Sequence, residues 1–196
     1  MKNLKLSFLV SLMIILFAGC EKDDDDDSPQ GCTIICQNGG TVASSNCSCN
    51  CPAGFTGANC QNQNTPTSFT LTRIDVTDWP YFDGNLYWDS DNSAPDPRVE
   101  INLGTSPFLH SGHFENPSAG SILSYGSSND PDNFPRTLNV NTTYDFRVYD
   151  NDPLNSDDLM LNSQFKLLDY SNGLPSVITF FYSSGWEFKL YGTWNF

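Results

Sequence analysis

Apolar and polar residues alternate with a period of two along much of the carboxyl-terminal part of the chain. In "TTYDFRVYD" (142–150), Tyr144, Phe146 and Val148 alternate with Asp145 and Arg147. In "WEFKLY" (186–191), Trp186, Phe188 and Leu190 alternate with Glu187 and Lys189. A period of two sends successive side chains to opposite faces of an extended chain, so each segment predicts a half-buried strand. "SFTLTRIDV" (68–76) changes phase between Leu71 and Ile74, which predicts a bulge, while "RVEINL" (98–103) and "VITFFY" (177–182) predict further strands. No stretch has convincing helical periodicity. Strands separated by turn-rich segments over about 130 residues predict an antiparallel β-sandwich at 68–196, large enough to bury one core.

The amino-terminal segment breaks this pattern. "MKNLKLSFLVSLMIILFAGC" has two lysines, an apolar run too short to span a bilayer, and small residues before Cys20. That is the form of a secretory signal, over 1–19. "EKDDDDDSPQ" follows, with five consecutive aspartates, a run of like charge that cannot fold, so 20–31 is expected to be an extended, solvated tether.

Over 196 residues, 23 acidic and 9 basic side chains give a formal net charge of −14. The length allows at most two modest domains. The charge argues against nucleic acid or a bare anionic membrane as a direct partner, and makes calcium and basic surfaces the natural counter-charges.

"LFAGC" (16–20) resembles the bacterial lipobox, in which the new amino-terminal cysteine is acylated. The resemblance implies a lipid on Cys20 and anchoring to a membrane. An acidic stretch directly behind that cysteine is similar to the export tag of lipoproteins displayed on the outer face of some Gram-negative bacteria, which implies an outer-membrane protein facing outside. The plainer alternative is an ordinary cleaved signal with an incidental cysteine.

Six further cysteines, Cys32, Cys36, Cys47, Cys49, Cys51 and Cys60, lie within 29 residues of an exported chain and predict three disulfides. Around them only Ile34, Ile35, Val42 and Phe55 could form a core, so covalent loops must supply what burial cannot, at ~2 to 4 kcal/mol each. With no nearby histidine and an oxidising compartment, zinc is a poor alternative. "CNCPAGFTGANC" (49–60) resembles the second half of an epidermal growth factor (EGF)-like module, giving a module at 32–60. "CQNGGTVASSNC" (36–47) keeps the family's Asn-Gly-Gly turn, but has Val42 where a cysteine usually stands. The resemblance implies Cys32 with Cys47, Cys36 with Cys49, and Cys51 with Cys60. It also implies no calcium in the module itself, because "SPQG" stands where the calcium-binding form needs acids. "QNQNTPTS" (61–68), polar and with Pro66, predicts a short linker over 61–67.

Two acidic segments adjoin predicted strands. "VYDNDPLNSDDLM" (148–160) follows one with Asp150, Asp152 and Asp158 at D-x-D-x5-D spacing, and "WDSDNSAPDPRVEINL" (88–103) leads from Asp89, Asp91 and Asp96 into another. A sandwich gathers its loops at two ends, so acids distant in sequence can converge there. A hard cation taking 6 to 8 oxygens from such loops is calcium, and two ions could be held. Asp, Asn, Ser and Pro are also turn formers, so solvated acidic turns are the plainer reading.

These segments resemble a C2 domain: "VYDNDPLNSDDLM" its third calcium-binding loop, "PDPRVEINL" the end of its first. The resemblance covers about 67–196. It implies Asp96, Asp150, Asp152 and Asp158 as ligands, with Asp89 as the remaining first-loop acid and Asp91 its rival. The first loop is longer and more aromatic than usual, and Met160 and Leu161 replace a common glycine. It also implies a binding role, not catalysis, with phospholipid the usual target; the expected external location makes a glycan or another surface protein an equal candidate, and with it an adhesion role.

Other chemistry is less well supported. Asp89, Asp91, Ser93 and Glu100 fall in an EF-hand register, but Ala94 replaces the glycine of the sharp turn and prolines stand at 95 and 97. His110 and His113, three apart on a strand, point to opposite faces and make a poor metal pair. Neither a G-x-S-x-G elbow nor an H-E-x-x-H motif is present. Carboxylate pairs could serve a polysaccharide hydrolase, but these lie in strand-end loops, not in an aromatic-lined cleft. An adhesive protein independent of metal is the other open class.

Overall fold

The computed structural model describes residues 32–89, 92–152 and 156–196. The expected signal, the tether, Cys20 and Asp91 lie outside the described residues. Residues 33–196 pack as one unit, and the architecture is all-β, as expected.

The disulfide-rich segment carries two small hairpins. β1 (Thr41–Ala43) pairs with β2 (Ser48–Asn50), and β3 (Phe55–Thr56) with β4 (Asn62–Gln63). Cys36 is bonded to Cys49 and Cys51 to Cys60, and Cys32 and Cys47 are also disulfide-bonded. The two described pairs are those the EGF resemblance implies. β4 lies in the segment expected as a linker, and its Gln63 side chain reaches the neighbouring sandwich: Nε2 donates to Ser171 O at 2.9 Å and Oε1 accepts from Gly173 N at 2.8 Å.

The sandwich is built from β5 (Ser68–Asp78), β6 (Pro97–Leu103), β7 (Ser106–His113), β8 (Leu123–Gly126), β9 (Arg136–Asn139), β10 (Thr143–Asp150), β11 (Asp158–Lys166), β12 (Val177–Tyr182) and β13 (Trp186–Asn195), with one 3-10 turn at Leu167–Tyr170. One sheet has the order β12-β13-β5-β8, with β9 also on β5; the other is β11-β10-β6-β7, and every pairing is antiparallel. The alternation read from the sequence is the cause. Tyr144, Phe146 and Val148 of β10 and Trp186, Phe188 and Leu190 of β13 all point inward, and the Phe146 and Phe188 rings stack at 3.9 Å across the two sheets. In β5 the phase change is a bulge: Leu71 pairs with Gly192 and Arg73 with Tyr191, so Thr72 is the extra residue. The bulge restores Ile74 and Val76 to the core.

Candidate metal centre

Register brings three strand ends together. Asp150, the last residue of β10, pairs with Pro97 at the start of β6 and with Asp158 at the start of β11. The two acidic segments therefore meet at one pole, because antiparallel neighbours place the end of one strand beside the start of the next.

Two hydrogen bonds fasten the segments. Asp96 N donates to Asp150 Oδ1 at 2.6 Å, and Asn151 N donates to Asp96 O at 3.1 Å. Asp96 Oδ1 accepts from Asn116 N at 2.6 Å, and Asn116 Oδ1 accepts from Ala94 N at 3.1 Å, so the turn after β7 braces the first loop. Asp89 Oδ2 accepts from Ser93 Oγ at 2.9 Å. Asp89, Asp96 and Asp152 are half-buried and Asp158 is exposed.

Asp150 is the anomaly. Its side chain has no solvent exposure, and its Oδ2 has no hydrogen-bond partner. Burial pushes its pKa up to about 6, and the charges of Asp89, Asp152 and Asp96 push the same way against the Asp96 N–H bond. Asp152 is also raised, first by burial and then by Asp89 and Asp158. A buried carboxylate oxygen without a partner is costly, and the cost is relieved either by protonation or by a cation.

The local cation is committed elsewhere. Arg98 is buried, lies over the Tyr149 ring at 4.5 Å, and bridges Glu100 and Asp157, with Nε to Asp157 Oδ2 at 3.1 Å. Asp157 Oδ1 in turn accepts from Asp152 N at 3.2 Å. Asp157, Arg98 and Asn116 are thus the supports of the pole that sequence reasoning passed over. No motif singled out Arg98 or Asn116, and Asp157 was one acid in a run where the D-x-D-x5-D spacing favoured Asp158. A bulge also interrupts β11 close by. Tyr149 pairs with Leu159 and Val148 with Leu161, which leaves Met160 as the extra residue beside the acidic turn.

Among the described residues, no group of three or more His, Cys, Asp or Glu side chains is arranged closely enough to hold a metal ion. The carboxylates face one another electrostatically without closing on one centre. The donor set is oxygen only, which suits a hard cation. The histidines stand apart from it: both are exposed, and His110 Nδ1 lies 3.3 Å from Glu100 Oε1 across the β6–β7 pair.

Between Asp78 and Asp89 the first loop carries an aromatic cluster at its rim. A short bridge joins Asp83 and Leu86, the Tyr81, Phe82 and Tyr87 rings meet edge to face at 5.0–5.1 Å, and Phe82, Leu86 and Tyr87 are exposed.

No protein-family model matches the chain, and no curated protein sequence matches it. Among solved structures, the chain is similar to a human GIVD cytosolic phospholipase A2 in complex with methyl gamma-linolenyl fluorophosphonate, at 12% identity and a TM-score of 0.40. That match covers 65% of this chain and 17% of the phospholipase. It is also similar to a C2 domain at 15% identity and TM-score 0.38, covering 66% of this chain and 99% of that one. A third similarity is to the paired C2 domains of extended-synaptotagmin 2, at 15% identity and TM-score 0.38, covering 71% of this chain and 45% of that one.

Proposed function

We propose that the acidic pole binds calcium, with Asp89, Asp96, Asp150, Asp152 and Asp158 as the carboxylates that would hold it, and that the chain is a calcium-dependent binding module. Asp91 remains the rival to Asp89. The observation that carries the reading is the buried, unpartnered Oδ2 of Asp150, set among carboxylates while Arg98 is occupied by Glu100 and Asp157.

A bound divalent cation supplies the missing counter-charge. Asp96 and Asp150 hold the two segments in register, Asp157 orients the turn at Asp152, and Asn116 braces Asp96 from behind. The chain's own part is to hold the carboxylates near one another at an electrostatic cost that the ion removes. The role read here is binding, not catalysis, as the C2 resemblance of the two acidic segments implies. The third-loop and first-loop resemblances to a C2 domain support this assignment. An anionic group on a lipid, glycan or surface protein is the natural ligand for such an ion.

The same reading makes the chain a lipoprotein anchored through Cys20 to the outer membrane and facing outside, with 32–60 as an EGF-like spacer. "LFAGC" and the acidic run behind it support the anchor, and "CNCPAGFTGANC" supports the module.

The test is a thermal melt of the purified protein in calcium and in EDTA, with native mass spectrometry for ion count. At free calcium about 100-fold above Kd, linkage adds about 2.7 kcal/mol, which is several degrees for a domain of this size. A melting temperature that does not move up to millimolar calcium overturns the metal reading and leaves the metal-independent adhesive protein.

A further inference from the structure

The four sheet edges differ in how they are protected. An unpaired edge offers a row of N–H and C=O groups to any other strand, so proteins blunt edges with charges, proline, bulges or brevity. β7 carries Pro107, and its pairing with β6 is interrupted twice. β11 has Asp158 and Lys166 at its ends and the bulge at Met160. β8 is only four residues long, and β9 beside it on β5 begins with Arg136.

β12 has none of these devices. Among the described residues it pairs with β13 alone, in unbroken register from Val177 with Tyr191 to Tyr182 with Trp186. "VITFFY" contains no charge and no proline, and no charged residue occurs anywhere in 170–186 of a chain with net charge −14. Its inward residues Ile178 and Phe180 are buried, whereas outward Phe181 is 73% exposed and Val177 37%. A β-branched and aromatic strand with a bare edge is the form that takes up another strand.

The segment is also complementary to itself. If two β12 strands meet antiparallel about a two-fold axis at Thr179, Val177 of each faces Phe181 of the other, Ile178 faces Phe180, and Thr179 faces Thr179. Aromatic with β-branched residues and Thr with Thr are favourable cross-strand pairs. We propose that β12 is the interface between two copies of this chain, joined edge to edge so that one sheet continues through both. Such an isologous contact closes on itself and removes both edges. The nearest charges across the sheet, Glu187 opposite Phe181 and Lys189 opposite Thr179, pair with each other at 2.9 Å, so no net local charge opposes the contact. The inference does not depend on the metal reading.

The experiment is sedimentation velocity of the purified protein over a concentration series, with Phe181→Lys and Thr179→Cys as variants. A monomer–dimer equilibrium is expected, with Phe181→Lys raising the dimer Kd by at least about tenfold and leaving the melting temperature unchanged. Thr179→Cys should yield a disulfide-linked dimer under mild oxidation. A monomer at every concentration, a Phe181→Lys dimer as tight as that of the natural chain, or a dimer that Thr179→Cys does not cross-link would each overturn the proposal.

Discussion

Asp96 donates its backbone N–H to Oδ1 of Asp150 across 54 positions of sequence, at 2.6 Å, and leaves Oδ2 of the same carboxylate buried and unpartnered. One bond aligns the two acidic segments; the missing one concentrates negative charge between them.

Replacing the carboxylate by its isosteric amide separates these effects. Asp150→Asn keeps an acceptor for Asp96 N but removes the buried charge, so in EDTA it should equal or exceed the natural protein by about 1–3 kcal/mol. In calcium the order should reverse, since only the natural chain gains stability from the ion. Urea unfolding midpoints in the two buffers would show the crossover, and parallel shifts in both buffers would contradict it.

Without calcium, the raised pKa of Asp150 has a definite sign. The folded carboxyl, at about 6, binds protons more readily than the unfolded one at 3.8. Its favourable contribution is complete below 3.8 and is lost as pH rises toward 6. The stability difference between the natural protein and Asp150→Asn in EDTA should therefore grow in favour of the variant across that interval and then level off.

Arg98 is the cation of the pole, and truncating it leaves Glu100 and Asp157 without a counter-charge. Arg98→Met should cost about 3 kcal/mol, and Arg98→Lys should recover only part of it because Lys cannot span both carboxylates with a planar fork. Chemical denaturation of the three proteins checks the order. Calcium affinity should also change in Arg98→Met, since Asp157 no longer has a partner to hold the Asp152 turn.

Gly54 joins the disulfide-rich segment to the sandwich. Its φ is +87°, and a Cβ there would fall 2.3 Å from Phe196 Cζ and 2.4 Å from Leu174 Cδ1. Gly54→Ala should cost more than about 1 kcal/mol, through both strain and lost packing. Faster proteolysis around residues 61–67, with sandwich unfolding little altered, is the expected result. Equal proteolysis of the two proteins would show that this contact does not hold the segments together.

Much of the fold was legible because burial imposes period two on a half-buried strand. β10 and β13 could be read directly from Tyr144–Val148 and Trp186–Leu190, and even the bulge at Thr72 announced itself as a slip in phase. The disulfide-rich segment was legible from cysteine count, since too few apolar residues surround it to fold otherwise. The candidate site was only half legible. Acid spacing and the C2 resemblance named Asp89, Asp91, Asp96, Asp150, Asp152 and Asp158 as candidate ligands, but no local pattern pointed to Arg98 or Asp157 as their supports.

By itself, then, the order of residues determined which segments extend, which faces are buried, and that two acidic turns end up beside strands, because these depend on local periodicity and composition. Tertiary structure decided that Asp150 is closed to water while Asp158 is open, that Arg98 belongs to Asp157 and Glu100, and that β12 is left at an edge. Those outcomes depend on register and sheet order, which bring together residues far apart in the chain, and no local pattern records which neighbour a strand end will meet.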